Sequence, residues 1–455
     1  MAWGMIQDTI AAISTALGEA ALSVLRISGA QALEVAGRVF SGRVALTEMR
    51  ARVAYRASAR GADGVVVDDG LLLVFRGKGS YTGEEVVEFH GHGGLLVTQK
   101  VYESVLAAGA RAAGPGEFTQ RAFLNGKMDL TQAEAVMDLI QAQSTLALRA
   151  AHEQLGGAIG KEALALKEVL LPVLAHVEAY IDFPEEDISP DTGAALMLRM
   201  DEVMMRARRL IDTGEQGRIL RQGARTVICG EPNVGKSSLL NVLLGFERAI
   251  VSPTAGTTRD TIEEVVQVHG IPLRLVDTAG LREAESADGI ERVGMERTRR
   301  ELERADLILE VVDGSVSPTM TSRVELPPGA ESRRILLLNK ADLGVAAGWP
   351  EEAVMMSCQA GSGVEELRAA IRALVLRSGP LLSEHPVAIN ARHQVCFERL
   401  AVHVAAAKAA LQAGQAPEYI ALDLREALQA LGEVVGVVDV EEVLDVIFSS
   451  FCIGK

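Results

Sequence analysis

The stretch Gly230-Glu-Pro-Asn-Val-Gly-Lys-Ser237 decides the reading of this chain. It fits G-x-x-x-x-G-K-S, follows the apolar run Thr226–Cys229 and precedes a helical pattern from Ser238 to Leu244. A strand, a glycine-rich turn and a helix in that order are what a phosphate-binding loop requires. Glycines let backbone N–H groups wrap phosphate oxygens, and the helix N-terminus adds positive potential. Lys236 is expected to reach the β- and γ-phosphates and the Ser237 hydroxyl to ligate Mg²⁺. Val234, Gly235 and Ser238 complete the phosphate contacts expected of the loop.

Outward from the loop, strands and helices alternate from about Arg225 to Arg377, as in a parallel α/β sheet. Leu273–Val276, Leu307–Val312 and Ile335–Leu338 read as buried strands, because their apolar character is continuous. Two of them end in further motifs. Asp277-Thr278-Ala279-Gly280 offers a carboxylate for water-bridged Mg²⁺ and a glycine N–H for the γ-phosphate. Asn339-Lys340-Ala-Asp342 places a carboxylate that can accept two N–H donors from a guanine edge, a pair adenine lacks. Ser357 and Cys358 fall where a further loop would meet the base. The site therefore reads as one for GTP.

Position 281 is Leu, where Ras-like enzymes carry a water-orienting Gln. Another group must orient the water and neutralise charge at the β–γ bridge. A monovalent cation held by oxygens of Asn233 and the run Gly256-Thr-Thr-Arg-Asp260 would do the second. Arg259 or Arg282 acting as an inserted finger is the alternative.

The 455 residues suggest two to four domains. Residues 1–125 mix short strands with glycine turns: Val65–Val67, Leu71–Phe75 and Val86–Phe89, with breaks expected at Gly70 and Gly77–Gly79, then a helix over Gly94–Ala108. This is an α+β pattern. Residues 126–220 are helical in texture, residues 221–378 carry the phosphate-loop domain, and residues 379–455 return to helix. Ile420, Leu424, Leu428 and Leu431 mark one face of a late helix. The last segment is short for a core of its own, so it is expected to complete the earlier helical part, with the α/β unit inserted between them. The fold class is multidomain: α+β, all-α, and an inserted α/β P-loop domain.

The net charge of −16 argues against binding nucleic acid over the whole surface and leaves a local patch or a partner for that task. Four scattered cysteines form no zinc or redox pair, and no signal peptide or long apolar span is read. A cytoplasmic protein with no membrane contact is expected. His90 and His92, alternating on a strand-like run, read as structural. Cys452 alone reads as a small buried hydrophobe.

Longer blocks carry a resemblance. Ser80-Tyr-Thr-Gly-Glu-Glu-Val-Val-Glu88 with His90-Gly-His-Gly-Gly94, Pro115-Gly-Glu-Phe-Thr-Gln-Arg-Ala-Phe-Leu-Asn-Gly-Lys127, Asp129-Leu-Thr-Gln-Ala-Glu134, Ala255-Gly-Thr-Thr-Arg-Asp260 and Phe451-Cys-Ile-Gly-Lys455 are similar to the tRNA-modification GTPases called MnmE or TrmE. The resemblance covers essentially the whole chain. It implies GTP hydrolysis coupled to modification of carbon 5 of the wobble uridine of certain tRNAs, shared with an FAD-containing MnmG-like partner in a hetero-oligomer. It implies a homodimer formed through the N-terminal domain, with G domains that approach each other with K⁺ bound. Asn233, Ser252, Thr254 and Thr257 match the family's K⁺ positions, Thr258 the Mg²⁺ threonine, and Glu291 the glutamate that helps position the attacking water. Arg26, Glu88, Lys127 and Lys455 match the positions that contact a folate, 5-formyltetrahydrofolate or methylenetetrahydrofolate. Cys452 matches a thiol needed for modification and facing that folate. With Lys236 and Glu291 it completes the catalytic set implied.

The alternative is a ribosome-assembly or signalling switch with no modification chemistry of its own. Such chains carry a second G domain or a basic RNA-binding domain, and neither is visible here. A folate enzyme with an appended regulatory GTPase merges into the first reading.

Overall fold

The computed structural model describes residues 8–182, 190–245, 264–276, 300–321, 324–376, 387–437, 444, 447–449 and 451–454. The chain forms two compact units, Met1–Met137 with Gly432–Lys455, and Asp138–Leu431.

The first unit is built on a seven-stranded sheet in the order β3-β4-β5-β6-β2-β1-β7. Its strands are β1 (Ile10–Ile13), β2 (Ala20–Ser28), β3 (Phe40–Gly42), β4 (Tyr55–Arg60), β5 (Val66–Phe75), β6 (Val86–Gly93) and β7 (Arg111–Ala112). All neighbours are antiparallel except β1 and β7. Alternation sorts the side chains between faces. Ala11, Leu25, Ile27, Ala57, Leu72, Val74, Val87 and Phe89 point to one buried core with the helices α1 (Ala32–Val39) and α2 (Leu95–Ala107). The other face carries Arg26, Arg56 and Glu88, and Ile10 and Ala12 pack there against Phe118 of α3 (Glu117–Leu124).

One expectation fails in this unit. The break expected at Gly70 is absent, and β5 runs straight through it. A side chain at 70 would overlap the His90 carbonyl and press on the Phe89 ring, which stacks on Phe40. The glycine makes room for a neighbouring ring; it does not turn the chain.

The second unit joins helices to a six-stranded sheet ordered β13-β12-β11-β8-β10-β9. These are β8 (Ala224–Cys229), β9 (Glu264–Val268), β10 (Ile271–Leu275), β11 (Leu307–Asp313), β12 (Arg334–Asn339) and β13 (Val354–Met355). Every pairing is parallel except the β9–β10 hairpin. The helical part includes Ala158–Asp182, Pro190–Ile211 and Ala391–Gln412. Its buried residues recur at helical spacing: Leu166, Leu170, Val173 and Val177; Met200, Val203 and Ala207; Phe397, Leu400, Val404 and Ala407. On the late helix Pro417–Val435, Ile420, Leu424 and Leu431 are buried as expected, but Leu428 is only half-buried, and Ala427 and Ala430 take its place. Small residues there allow close helix approach. Among the described residues no helix is long and apolar enough to cross a membrane.

The architecture is multidomain: an α+β N-terminal domain, an all-α helical domain, and an α/β P-loop domain inserted in the helical sequence. In the parallel sheet, the described nucleotide motifs sit just beyond the carboxyl ends of β8 and β12, the edge where open α/β sheets bind ligands.

Candidate functional site

β8 is buried along most of its length and delivers the chain to the phosphate loop. Asn233 is exposed at the crest of the loop in a left-handed conformation, φ 65°. Asparagine is among the few side chains that tolerate this backbone. Gly235 has φ 103° and leads into the helix α4 (Lys236–Leu244). A methyl group at 235 would overlap the Asn339 amide nitrogen. That nitrogen donates to the Val234 carbonyl at 2.8 Å, and the Asn339 oxygen accepts from the Cys358 N–H at 3.0 Å. One buried amide thus ties the phosphate loop, the end of β12 and the Ser357–Cys358 loop together.

The Lys236 ammonium donates to the carbonyls of Gly230 at 3.0 Å and Glu231 at 2.6 Å. Burial lowers its pKa. An anionic phosphate would oppose that effect, so the half-buried ammonium is suited to such a ligand. Ser237 follows on the first turn of α4, and Ser238 is exposed beside it.

Lys340 is held with φ 64°, and its ammonium pairs with Asp313 at the end of β11, 2.7 Å away. Burial works to raise the Asp313 carboxyl, but hydrogen bonds from Lys340 and Ser315 outweigh it and leave the pKa lowered. Asp342 is exposed. Ser357 is buried, and its hydroxyl accepts the Ala360 N–H. Burial pushes the Cys358 thiol up to about 11, so it is a packing group at neutral pH. Asn233, Val234, Gly235, Lys236, Ser237, Asn339 and Cys358 are therefore gathered at one end of the sheet. Ser252, Thr254, Thr257, Thr258, Asp277, Thr278, Ala279, Gly280, Glu291 and Lys455 lie outside the described residues.

The first unit holds a second constellation. Arg26 on β2 stands directly across from Glu88 on β6, and Arg26 Nε meets Glu88 Oε1 at 2.8 Å. The Arg26 guanidinium lies 5.5 Å from the Tyr81 ring centroid and 5.6 Å from that of Phe118. The second Glu88 oxygen faces His90 Nε2 at 3.2 Å. Both Arg26 and Glu88 keep part of their surface accessible. Such a pair can exchange partners with a ligand that offers N–H donors to the carboxylate and an anion to the guanidinium. Lys127 is exposed and donates to the Lys78 carbonyl at 2.5 Å.

The tail reaches the same neighbourhood. Pro115 bridges Ile453, the Gly116 N–H donates to the Cys452 carbonyl at 3.4 Å, and the Ser14 hydroxyl donates to Gly454. Cys452 itself is exposed, which overturns the reading of it as a buried hydrophobe. Backbone contacts seat the tail, so the thiol is free to face outward.

Sequence reasoning missed the frame of this constellation. Arg121 is 1% exposed and reaches Asp8, Glu84 and Glu117, and Arg111 joins Asp8 and Glu117 from outside. The Tyr81 hydroxyl meets Thr119 Oγ1 at 2.9 Å, and Asn125 donates to the Thr82 carbonyl. These bonds clamp the loop carrying Tyr81 onto α3. The signal available was the i, i+4 spacing of Glu117 and Arg121 on one helix.

Comparison with known proteins places the whole chain. A model described as the GTP-binding protein TrmE N-terminus matches residues 9–127, and one described as the MnmE helical domain matches residues 130–452. Proteins named tRNA modification GTPase MnmE are similar along nearly the full length. The one from Akkermansia muciniphila is 50% identical and covers 99% of each chain. That from Geobacter sulfurreducens is 43% identical over 99% of this chain and all of its own, and that from Chloroflexus aurantiacus 42% over the same shares. The apo cytosolic domain of the T. maritima FeoB iron transporter aligns to 47% of this chain with 19% identity and a TM-score of 0.22, too low to bear on the fold. From the two family models and the relatives that match almost end to end, the chain belongs to the MnmE family of tRNA modification GTPases.

Proposed function

We propose that this chain is a K⁺-activated, dimerisation-dependent GTPase. With an FAD-containing partner it modifies carbon 5 of the wobble uridine of certain tRNAs, using a one-carbon unit carried by a tetrahydrofolate. The observation that carries the nucleotide half is the Asn339 bridge between the phosphate loop and the Cys358 N–H, which joins phosphate and base recognition in one rigid piece. The activity printed in the relatives' names supports the same reading.

In this reading Lys236 binds the β- and γ-phosphates, Ser237 and Thr258 hold Mg²⁺, and Asp342 selects guanine. Asn233, Ser252, Thr254 and Thr257 hold K⁺, which supplies positive charge at the β–γ bridge, and Glu291 orients the water. Asn233 suits that role: its left-handed backbone leaves the amide at the exposed crest of the loop. Arg26, Glu88, Lys127 and Lys455 hold the folate, with Cys452 facing it. The four-part division at residues 125, 220 and 378, and a homodimer formed through the N-terminal domain, belong to the same proposal.

Hydrolysis of GTP by the purified chain in KCl and in NaCl at matched ionic strength tests the cation. We expect rates at least about tenfold higher in KCl; equal rates remove K⁺ from the mechanism. Mass analysis of tRNA nucleosides from a deletion strain tests the purpose. Unchanged wobble uridines there refute the modification reading and leave a switch without modification chemistry.

A further inference from the structure

The arginines of the first unit fall into two groups. Arg26, Arg38, Arg76, Arg111 and Arg121 each contact a carboxylate. Arg43, Arg50, Arg52, Arg56 and Arg60 are all exposed, and among the described residues none of them has a carboxylate partner. These five fall between residues 43 and 60, a stretch with Glu48 as its one acidic residue, in a chain of net charge −16. An acidic protein that leaves one run of guanidiniums without counter-charge has a local surface for a polyanion.

The fold arranges the run. β3 and β4 form the outer edge of the sheet. Arg56 and Arg60 share one face of β4, the face that carries Arg26 and Glu88 further in, and they are about 14 Å apart at strand rise. Gly42 pairs with Ala57, which sets Arg43 beside Arg56. Two of the side chains are held by neutral groups. Arg60 donates to the Ser41 hydroxyl and the Gly64 carbonyl, and Arg52, at φ 63°, donates to the Gly79 carbonyl at 2.7 Å. These bonds orient the guanidiniums without cancelling their charge, so an arriving anion meets donors already in place. Two carboxylates stand near the row without pairing to it: Asp69, held by Ser58 across from it between Arg56 and Arg60, and Asp63, in the turn after Arg60, which accepts the Val65 N–H.

The row also has a direction. Arg52 bonds to the carbonyl of Gly79, and Lys127 to the carbonyl of Lys78, the residue before it. The arginines therefore run from the sheet edge to the loop on which a proposed folate contact rests. We infer that this edge binds the phosphate backbone of the RNA substrate and leads it toward the one-carbon site. The inference rests on the tRNA-modification reading. It adds the surface that such a substrate uses.

The test is binding of a fluorescent, unmodified tRNA transcript to the full chain across a KCl series. The variant is the triple substitution R43Q/R56Q/R60Q, and R38Q, at an arginine paired with Glu34, is the control. We expect the triple variant to bind at least about tenfold more weakly, with the slope of log K against log salt shallower by roughly two to three. R38Q should match the parent chain, and GTP hydrolysis and folate binding should be unchanged in both. A triple variant with the parent's affinity and salt slope overturns the inference. So does a variant that loses binding to anionic phospholipid vesicles while keeping tRNA, which would mark a membrane surface. A deletion strain with unmodified wobble uridines, combined with a triple variant that binds RNA normally, keeps the modification reading and discards this surface.

Discussion

The two candidate sites hold their polar groups by opposite means. At the nucleotide end of the α/β sheet, backbone shape does most of the work. Positive φ values at Asn233, Gly235 and Lys340 set the loops, and one neutral amide, Asn339, locks them together. In the N-terminal unit, ion pairs do it. Arg26 with Glu88, and Arg121 with Asp8, Glu84 and Glu117, hold a sheet face and a helix in register. A site made of backbone is brittle toward added side-chain volume and indifferent to moderate salt. A site made of buried ion pairs is sensitive to the loss of one charge and to acid.

The largest effect should come from Gly235→Ala. The substitution forces an L-residue to φ 103° and drives a methyl group into the Asn339 amide, so the bonds to Val234 and Cys358 are both disturbed. Nucleotide affinity should fall by about 4 kcal/mol, roughly a thousandfold, from the backbone strain and the two disturbed hydrogen bonds together. Titration with a fluorescent GDP measures it. Binding as tight as in the parent chain would mean that loop shape does not govern this site.

Next is Arg121→Met, which keeps the side-chain volume and removes the charge. It leaves Asp8, Glu84 and Glu117 without their shared buried cation, in a place where Arg121 is 1% exposed. Stability at neutral pH should drop by about 3 kcal/mol. Arg38→Met, at a pair exposed on both sides, should cost under about 0.5 kcal/mol. The pH dependence has a definite sign. Burial works to raise the Glu117 carboxyl, but Arg111, the Gly114 N–H and Arg121 reverse it, so its folded pKa is lowered. A lowered carboxylate contributes stability that is present above its unfolded pKa and lost as pH falls through the folded value. The gap between parent and Arg121→Met should therefore be widest at neutral pH and close in acid. Urea unfolding followed across that range checks it; a gap independent of pH would deny the ion pairs this role.

The same contrast explains what could be read from sequence. The P-loop, its strand and its helix are contiguous, so a short motif carried both fold and chemistry; β8, β11 and β12 lie where continuous apolar runs put them. The edge strands β9 and β13 escaped because a five-residue hairpin arm and a two-residue bridge leave too little pattern. Arg26, Tyr81, Glu88 and Phe118 span more than ninety positions and meet only because β2, β6 and α3 are neighbours. Spacing cannot show that, and only the resemblance pointed to Arg26 and Glu88. Arg121, which frames them, was missed because an arginine inside a helix reads as a surface residue until its partners are known. Gly70 was misread for a related reason: the group that needs its missing side chain, Phe89, belongs to the next strand.

The smallest expected effect separates charge pairing at the surface from charge pairing inside. His92 Nδ1 lies 2.6 Å from Asp68, and the same carboxylate accepts the His92 backbone N–H at 2.8 Å. The imidazole is exposed while Asp68 is nearly buried. The hydrogen bond its ring donates to Asp68, and then the charge of that carboxylate, raise the His92 pKa. A raised histidine contributes stability that is complete below its unfolded pKa, near 6.5, and lost as pH rises through the folded value. This runs opposite to the Glu117 limb, so the N-terminal unit should lose stability toward both acid and mild base. Following the imidazole C–H resonances across neutral pH in the parent and in Asp68→Asn measures it directly. The His92 titration should move down toward the ordinary histidine range in the variant, with the other histidines unmoved. If His92 titrates identically in both, its exposed ring owes nothing to Asp68, and the carboxylate serves only the backbone N–H beside it.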